Sequence, residues 1–192
     1  MKTFFVDIDG TIADTESRSR VLTDHRYNNG QRWAQFFQPK AMEKDPILPQ
    51  SRVLDRLLGG NYDVTFVTAR PEKVRQSTVG WLQKHFPHFN AEQHAVVMKP
   101  NDSAKSSATW KAVTIAGLGG EDNFVFIDND KTNRSAVRRS FPFATVLDPE
   151  SGWDLIGGQL DDDGDTENTD EPTVEDEEID VDTSDEDYSN LD

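Results

Sequence analysis

Five short runs of β-branched and aromatic residues, near positions 3–8, 63–68, 95–98, 124–128 and 144–147, recur along the chain with longer amphipathic stretches between them. That alternation restricts the fold more than any other feature of the sequence. In Phe4-Phe5-Val6 and in the run from Phe124 to Ile127, apolar side chains occupy successive positions rather than every second one, which suits strands covered on both faces. The stretch PEKVRQSTVGWLQKHF places Val74, Trp81, Leu82 and Phe86 at roughly helical spacing behind Pro71, a residue suited to a first turn. SATWKAVTIAGLGG opens on a Ser/Thr cluster and closes on Gly119 and Gly120, and TNRSAVRRSF follows the next run; both predict crossover helices. The expected class is α/β, a three-layer Rossmann-like parallel sheet.

Two intervals break the alternation. From Ile12 to Gly60 the chain is too long for one crossover and carries no strand signal, which predicts a small helical cap within about 14–48, with QRWAQFF as its helix and PQSRVLDRLLGG as the helix returning to the sheet. Trp33, Phe36 and Phe37 read as packing residues of that cap. At the other end, residues 161–192 hold 17 of the 36 acids and no Lys or Arg, which leaves 19 acids against 20 bases before them. The net charge of −16 therefore belongs to a tail, and the body is nearly neutral. With few large apolar side chains and strong self-repulsion, the tail, drawn at 159–192 after a domain of 1–158, is expected to be disordered. It could solubilise the chain, compete with nucleic acid for a basic groove, or dock a basic protein partner. The absence of cysteine excludes disulfides and thiolate metal sites. No run of about 18 apolar residues is present, so a soluble, unexported, cytoplasmic protein without membrane contact is expected.

The polar residues that matter cluster at predicted strand ends. Asp7 and Asp9 close the first run just before Gly10, and in open α/β sheets ligands bind beyond the carboxyl ends of the strands. Residues i and i+2 of a strand point to the same side, so both carboxylates could converge on one cation. Thr68 and Arg70 end the second run, Asp128, Asn129 and Asp130 end the fourth, and Lys111 lies in the helix preceding it. Hard carboxylate oxygens suit Mg²⁺. The Thr68 hydroxyl, Arg70 and Lys111 would supply donors and positive charge for a tetrahedral dianion, which points to phosphate chemistry.

DIDGT, a strand-end Thr, a downstream Lys and a final acidic strand end, in that order and over about residues 3–148, resemble the four motifs of the haloacid dehalogenase-like (HAD) phosphohydrolases. The resemblance implies two-step phosphoryl transfer. Asp7 matches the nucleophile that forms an aspartyl-phosphate, and Asp9 the general acid that protonates the leaving oxygen and then activates water. It implies that Asp7 is ionised while Asp9 carries a proton, a division that differing surroundings can enforce. Thr68 matches the phosphate-binding hydroxyl residue and Lys111 the lysine stabilising the phosphoryl group, with Lys105 a rival for that place. Gly10 and Thr11 fall in the substrate-binding loop. The implied Mg²⁺ would be held by Asp7, the Asp9 carbonyl and an acid of the last motif, Asp128 or Asp130; that motif here is DND, where many relatives have adjacent acids.

Within the superfamily, DIDGTIADTESR is similar to the opening motif of the 3′-phosphatase domain of phage polynucleotide kinase. Arg18 stands in the place of an active-site arginine there, Arg70 lies two residues after the motif Thr, and MKPNDSAKSSATWK is similar to the segment before the motif lysine, with Lys99 where Arg is more usual. The resemblance thus implies Arg18 and Arg70 as substrate-binding residues and a nucleic-acid 3′-phosphate end or a nucleotide as substrate. No G-x-x-x-x-G-K-[ST] loop is present, so no kinase half is encoded. Because the body is not basic, a deoxynucleotidase or another small-metabolite phosphatase is the second expectation. A non-catalytic HAD scaffold that binds a partner through its acidic tail is the third.

Overall fold

The structure, a computed structural model, describes residues 2–120 and 123–164. Five strands, β1 (Thr3–Val6), β2 (Asp63–Pro71), β3 (Val96–Lys99), β4 (Phe124–Ile127) and β5 (Thr145–Leu147), form one sheet in the order β3-β2-β1-β4-β5. Every neighbouring pair is parallel. The class and all five strand positions agree with the alternation in the sequence. After β3 the chain crosses back over β1 to build the other half of the sheet, so a crevice opens at the carboxyl ends of β1 and β4.

The helices in chain order are α1 (Glu16–Ser19), α2 (Asn29–Phe36), α3 (Pro39–Met42), α4 (Leu54–Gly59), α5 (Arg75–His85), α6 (Ser107–Gly117), α7 (Lys131–Ser140) and α8 (Pro149–Gly164). One face of the sheet packs Phe4, Val6, Phe66, Val125 and Ile127 against Leu54, Leu57, Trp81, Leu82, Trp153 and Ile156, from α4, α5 and α8. The opposite face packs Phe5, Val67, Phe124, Phe126 and Val146 against Trp110, Ile115 and Val137, from α6 and α7. Near-continuous burial along β1 and β4 is the reason both strands read as unbroken apolar runs. Gly119 takes a φ of +83° directly after α6, the left-handed conformation that ends a helix without a Cβ penalty.

The excursion after β1 contains α1, α2 and α3. Its two ends are pinned together, with Asp14 donating its N–H to the Pro46 carbonyl at 2.8 Å and Leu48 to that of Ile12 at 2.9 Å. Asn28 caps α2 through a reciprocal capping box with Gln31.

The expected boundary at residues 158/159 falls inside α8, which continues to Gly164. Trp153, Ile156 and Leu160, at i, i+3 and i+7, hold that helix against the core, and the acid-rich composition beginning at Asp161 hides this stripe. The remainder of the tail lies outside the described residues.

Candidate active site

The β1 ladder continues one residue beyond the strand, where Asp7 donates its N–H to the Ile127 carbonyl at 3.0 Å, so Asp7 emerges beside the end of β4. Gly10 then turns the chain with a φ of +73°, and a Cβ there would collide with the Asn129 side chain. The turn can approach the β4 loop only because that position is glycine. Two bonds fasten it: the Asn129 N–H donates to the Thr11 hydroxyl at 3.0 Å, and the Trp153 indole N–H donates to the Thr11 carbonyl at 3.1 Å.

On the core side, the Lys111 ammonium, almost wholly buried, bridges Asp7 at 2.7 Å and Asp128 at 2.6 Å. α6 carries Lys111 on the face that covers the sheet, which is how a helical lysine reaches two strand ends. Asp128 is further held by the Asn133 amide at 3.0 and 3.2 Å and by the Asp130 N–H at 2.7 Å. Burial pushes the Asp7 carboxyl up to about 7; Lys111 opposes this, while Asp128 and Asp9 add to it. Burial alone would lower the Lys111 ammonium, but Asp7 and Asp128 outweigh it and the pKa is raised. One positive charge serves two carboxylates.

The cap side is built differently. The Asp9 carboxylate faces two guanidiniums: Arg70, through contacts of 2.8 to 3.2 Å, and Arg18, through its Nη2. Burial works to raise the Asp9 pKa, yet Arg70 and Arg18 together hold it below the ordinary carboxylate value. The remaining donors of Arg18 go to Asp45, with Nε at 2.8 and 3.1 Å, and to the Phe36 carbonyl at 3.0 Å; the Phe36 ring lies 4.0 Å from the guanidinium carbon. Arg70 is fully buried and also reaches the Thr78 hydroxyl at 3.4 Å and Asp45 at 3.8 Å. The register of the β2–β3 pairing shifts between Thr68 and Pro71, the stretch that contains Arg70. Trp81 donates its indole N–H to the Asp45 carbonyl at 2.8 Å and so fixes the loop that presents Asp45.

The sequence-derived residues thus separate into groups. Asp7, Lys111 and Asp128 come together as one cluster, while Lys105 contributes its carbonyl to Lys99 Nζ at 2.5 Å. In place of open substrate contacts, Arg18 and Arg70 show guanidiniums occupied by protein groups, with Asp9 between them. Thr68 is buried and its hydroxyl accepts from the Arg70 N–H at 3.3 Å; Thr11 is likewise buried, with its hydroxyl bonded to the β4 loop. Asp130 caps α7, accepting from the N–H groups of Thr132 and Asn133 at 2.6 and 3.3 Å. Of the two carboxyls, Asp9 carries the lowered pKa and Asp7 the raised one.

Asp45, Asn133 and Trp153 complete the site without having been singled out from the sequence, and Phe36, expected only as a packing residue of the cap, covers the Arg18 guanidinium. Of Trp33, Phe36 and Phe37, expected as packing residues, Phe36 is buried and Phe37 packs partly buried against the core, while Trp33 is 45% exposed and lines a cleft.

Among the described residues no three acidic or histidine side chains converge as a cation cluster. The donor chemistry nonetheless fits Mg²⁺. Asp7 and Asp128 offer hard oxygens, and a pocket in which one ammonium balances two carboxylates is short of positive charge.

No protein-family model matches the sequence, and no curated protein matches it. Solved structures do. A chain of the Pnkp1/Rnl/Hen1 RNA repair complex aligns with a TM-score of 0.57 at 13% identity, over 77% of this chain and 42% of that one. A second structure of the Pnkp1/Rnl/Hen1 complex gives 0.54 at 14% identity, over 77% and 45%. The present chain therefore spans less than half the length of those two. A haloacid dehalogenase-like family hydrolase from Streptococcus pneumoniae aligns with a TM-score of 0.52 at 12% identity, over 81% of this chain and 98% of its own. The chain has a HAD-like fold.

Proposed function

We propose that the chain is a Mg²⁺-dependent phosphatase that hydrolyses a phosphate monoester, with a nucleic-acid 3′-phosphate end or a nucleotide as substrate. The observation that carries this reading is the contrast between two carboxylates two residues apart, Asp7 against a shared ammonium and Asp9 between two guanidiniums. In the first step an Asp7 oxygen attacks phosphorus, the ester P–O bond breaks, and the leaving oxygen takes a proton from Asp9. In the second, Asp9 removes a proton from water, water oxygen attacks phosphorus, and the Asp7–phosphorus bond breaks to release inorganic phosphate.

In the resting site Asp9 is held in its ionised form, the form needed for the second step. A phosphate dianion arriving beside it opposes the guanidinium field and shifts Asp9 toward taking up the proton needed for the first. Asp7 has the reverse requirement, since its carboxyl must be ionised to attack. Lys111 supports that form and stabilises charge on the phosphoryl oxygens. Asp7, Asp128 and the Asp9 carbonyl would hold Mg²⁺, which when bound supplies the positive charge this half of the site lacks. The RNA-repair complexes that share the fold agree with a nucleic-acid end as substrate.

Phosphate release tests the proposal on a 3′-phosphorylated oligonucleotide, 3′- and 5′-mononucleotides and glycerol phosphate, each with Mg²⁺ and with EDTA. Release that needs Mg²⁺ and disappears in Asp7→Asn is expected. Undiminished release by purified Asp7→Asn would overturn the mechanism.

A further inference from the structure

α2 shows two faces of different kinds. Phe36 turns inward onto Arg18, whereas Gly30, Trp33, Ala34 and Phe37, at i, i+3, i+4 and i+7, form an apolar stripe along a cavity of about 410 Å³, within the roughly 300–1,000 Å³ range of small-molecule sites. The opposite wall includes Ala69 and Pro71, the chain neighbours of Arg70, whose guanidinium holds Asp9. Trp33 stacks on Phe37 with ring centroids 5.7 Å apart and planes 19° from parallel, and meets Phe36 edge-on at 5.5 Å. Its position is thereby fixed while nearly half of its surface stays open. Among the described residues, the charged ones lining the cavity are Lys73 and Lys99.

Resting on the phosphatase reading above, we propose that this cavity is the leaving-group subsite, in which a nucleobase stacks on Trp33 and a neighbouring backbone phosphate meets Lys73 and Lys99. An aromatic platform is wasted on an aliphatic ester, and a pair of ammonium groups beside it has no use for a neutral leaving group. Base stacking together with a backbone-tracking cation is the combination that binds single strands. The reacting phosphate belongs to the Asp7 site, so the lysines imply a second phosphate. The substrate class is therefore an oligonucleotide end of two or more nucleotides rather than a mononucleotide.

The other three tryptophans, Trp81, Trp110 and Trp153, are buried, so a change in intrinsic fluorescence on ligand binding reports chiefly on Trp33. Titrating Asp7→Asn protein with a 3′-phosphorylated single-stranded tetranucleotide should quench the emission, and Trp33→Ala in that background should abolish the quench. In the active protein, Trp33→Ala should lower the ratio of kcat/KM on the oligonucleotide to that on glycerol phosphate by about tenfold, mainly through KM, and Trp33→Phe should restore most of it. Lys73→Ala should flatten the salt dependence of oligonucleotide binding by about 0.7 in log–log slope, the value for one contact to a single strand. Absence of quenching, or an equal loss on both substrates in Trp33→Ala, overturns the subsite. Quenching by the oligonucleotide in a protein that hydrolyses none of the esters overturns the phosphatase reading, and with it the leaving-group role, and leaves only the stacking of a base on Trp33 standing.

Discussion

On the core side of the site one ammonium serves two carboxylates; on the cap side two guanidiniums serve two. The first arrangement, Lys111 between Asp7 and Asp128, leaves the pocket short of positive charge and Asp7 with a carboxyl that titrates near neutrality. The second, Arg18 and Arg70 between Asp9 and Asp45, is closed: charges balance and the guanidinium donors have protein acceptors. A half-site short of charge can accept a cation or a phosphoryl group, whereas a balanced one holds its shape. The chain supplies the reactive half entirely from the sheet and its crossover helices, and takes two members of the rigid half, Arg18 and Asp45, from the inserted cap.

Arg70→Ala should have the largest effect because it attacks the balanced half at its most buried member. It leaves Asp9 and Asp45 sharing one guanidinium and opens a cavity beneath Trp81, a loss of about 3–5 kcal/mol, or roughly 6–20 °C in Tm, with turnover falling in parallel. Thermal denaturation followed by circular dichroism checks this. Lys111→Met should separate the halves. Phosphate release should drop on the order of 10²- to 10³-fold, while Tm falls less than in Arg70→Ala, because the raised pKa of Asp7 eases its protonation and Asp128 keeps the Asn133 amide and the Asp130 N–H. Equal losses of Tm in the two variants would mean that the halves do not differ as described.

Asp45→Asn keeps the shape of the clamp but removes one of its charges. A destabilisation of about 1–3 kcal/mol is expected in urea denaturation, the scale of weakening a buried charged hydrogen bond. The smallest effect is expected from Trp153→Phe, which preserves the packed ring and deletes one neutral bond to Thr11, at about 0.5–1.5 kcal/mol by the same measurement. A loss above that of Asp45→Asn would shift the weight of the site from its ion pairs to the α8 anchor.

The reactive half was largely legible in the sequence and the rigid half only in part. Asp7, Lys111 and Asp128 stand at a strand end, in a crossover helix and at another strand end, positions that periodicity can locate. Arg18, Arg70 and Asp9 could also be found, but not the second acceptor, because Asp45 lies in a cap loop 27 residues from Arg18 and no local pattern connects them. Asn133 is hidden for a related reason: on the face of α7 opposite to solvent, one short polar side chain looks like any other until Asp128 is placed beneath it. Trp33 packs on Phe36 and Phe37 as its spacing suggests, but its 45% exposure was not legible, because spacing alone does not tell what lies opposite. α8 was obscured by composition, since the acidic run begins before the helix ends.

The two fastenings of the Thr11 turn also set an order of assembly. The loop that bears Asp7 and Asp9 is made before its fastenings, since the amide of Asn129 and the indole of Trp153 that secure Thr11 are made 118 and 142 residues later. Until both have been synthesised and packed, Asp7 and Asp9 stand on an unfastened turn, so these two carboxylates are placed late although they are made before their fastenings.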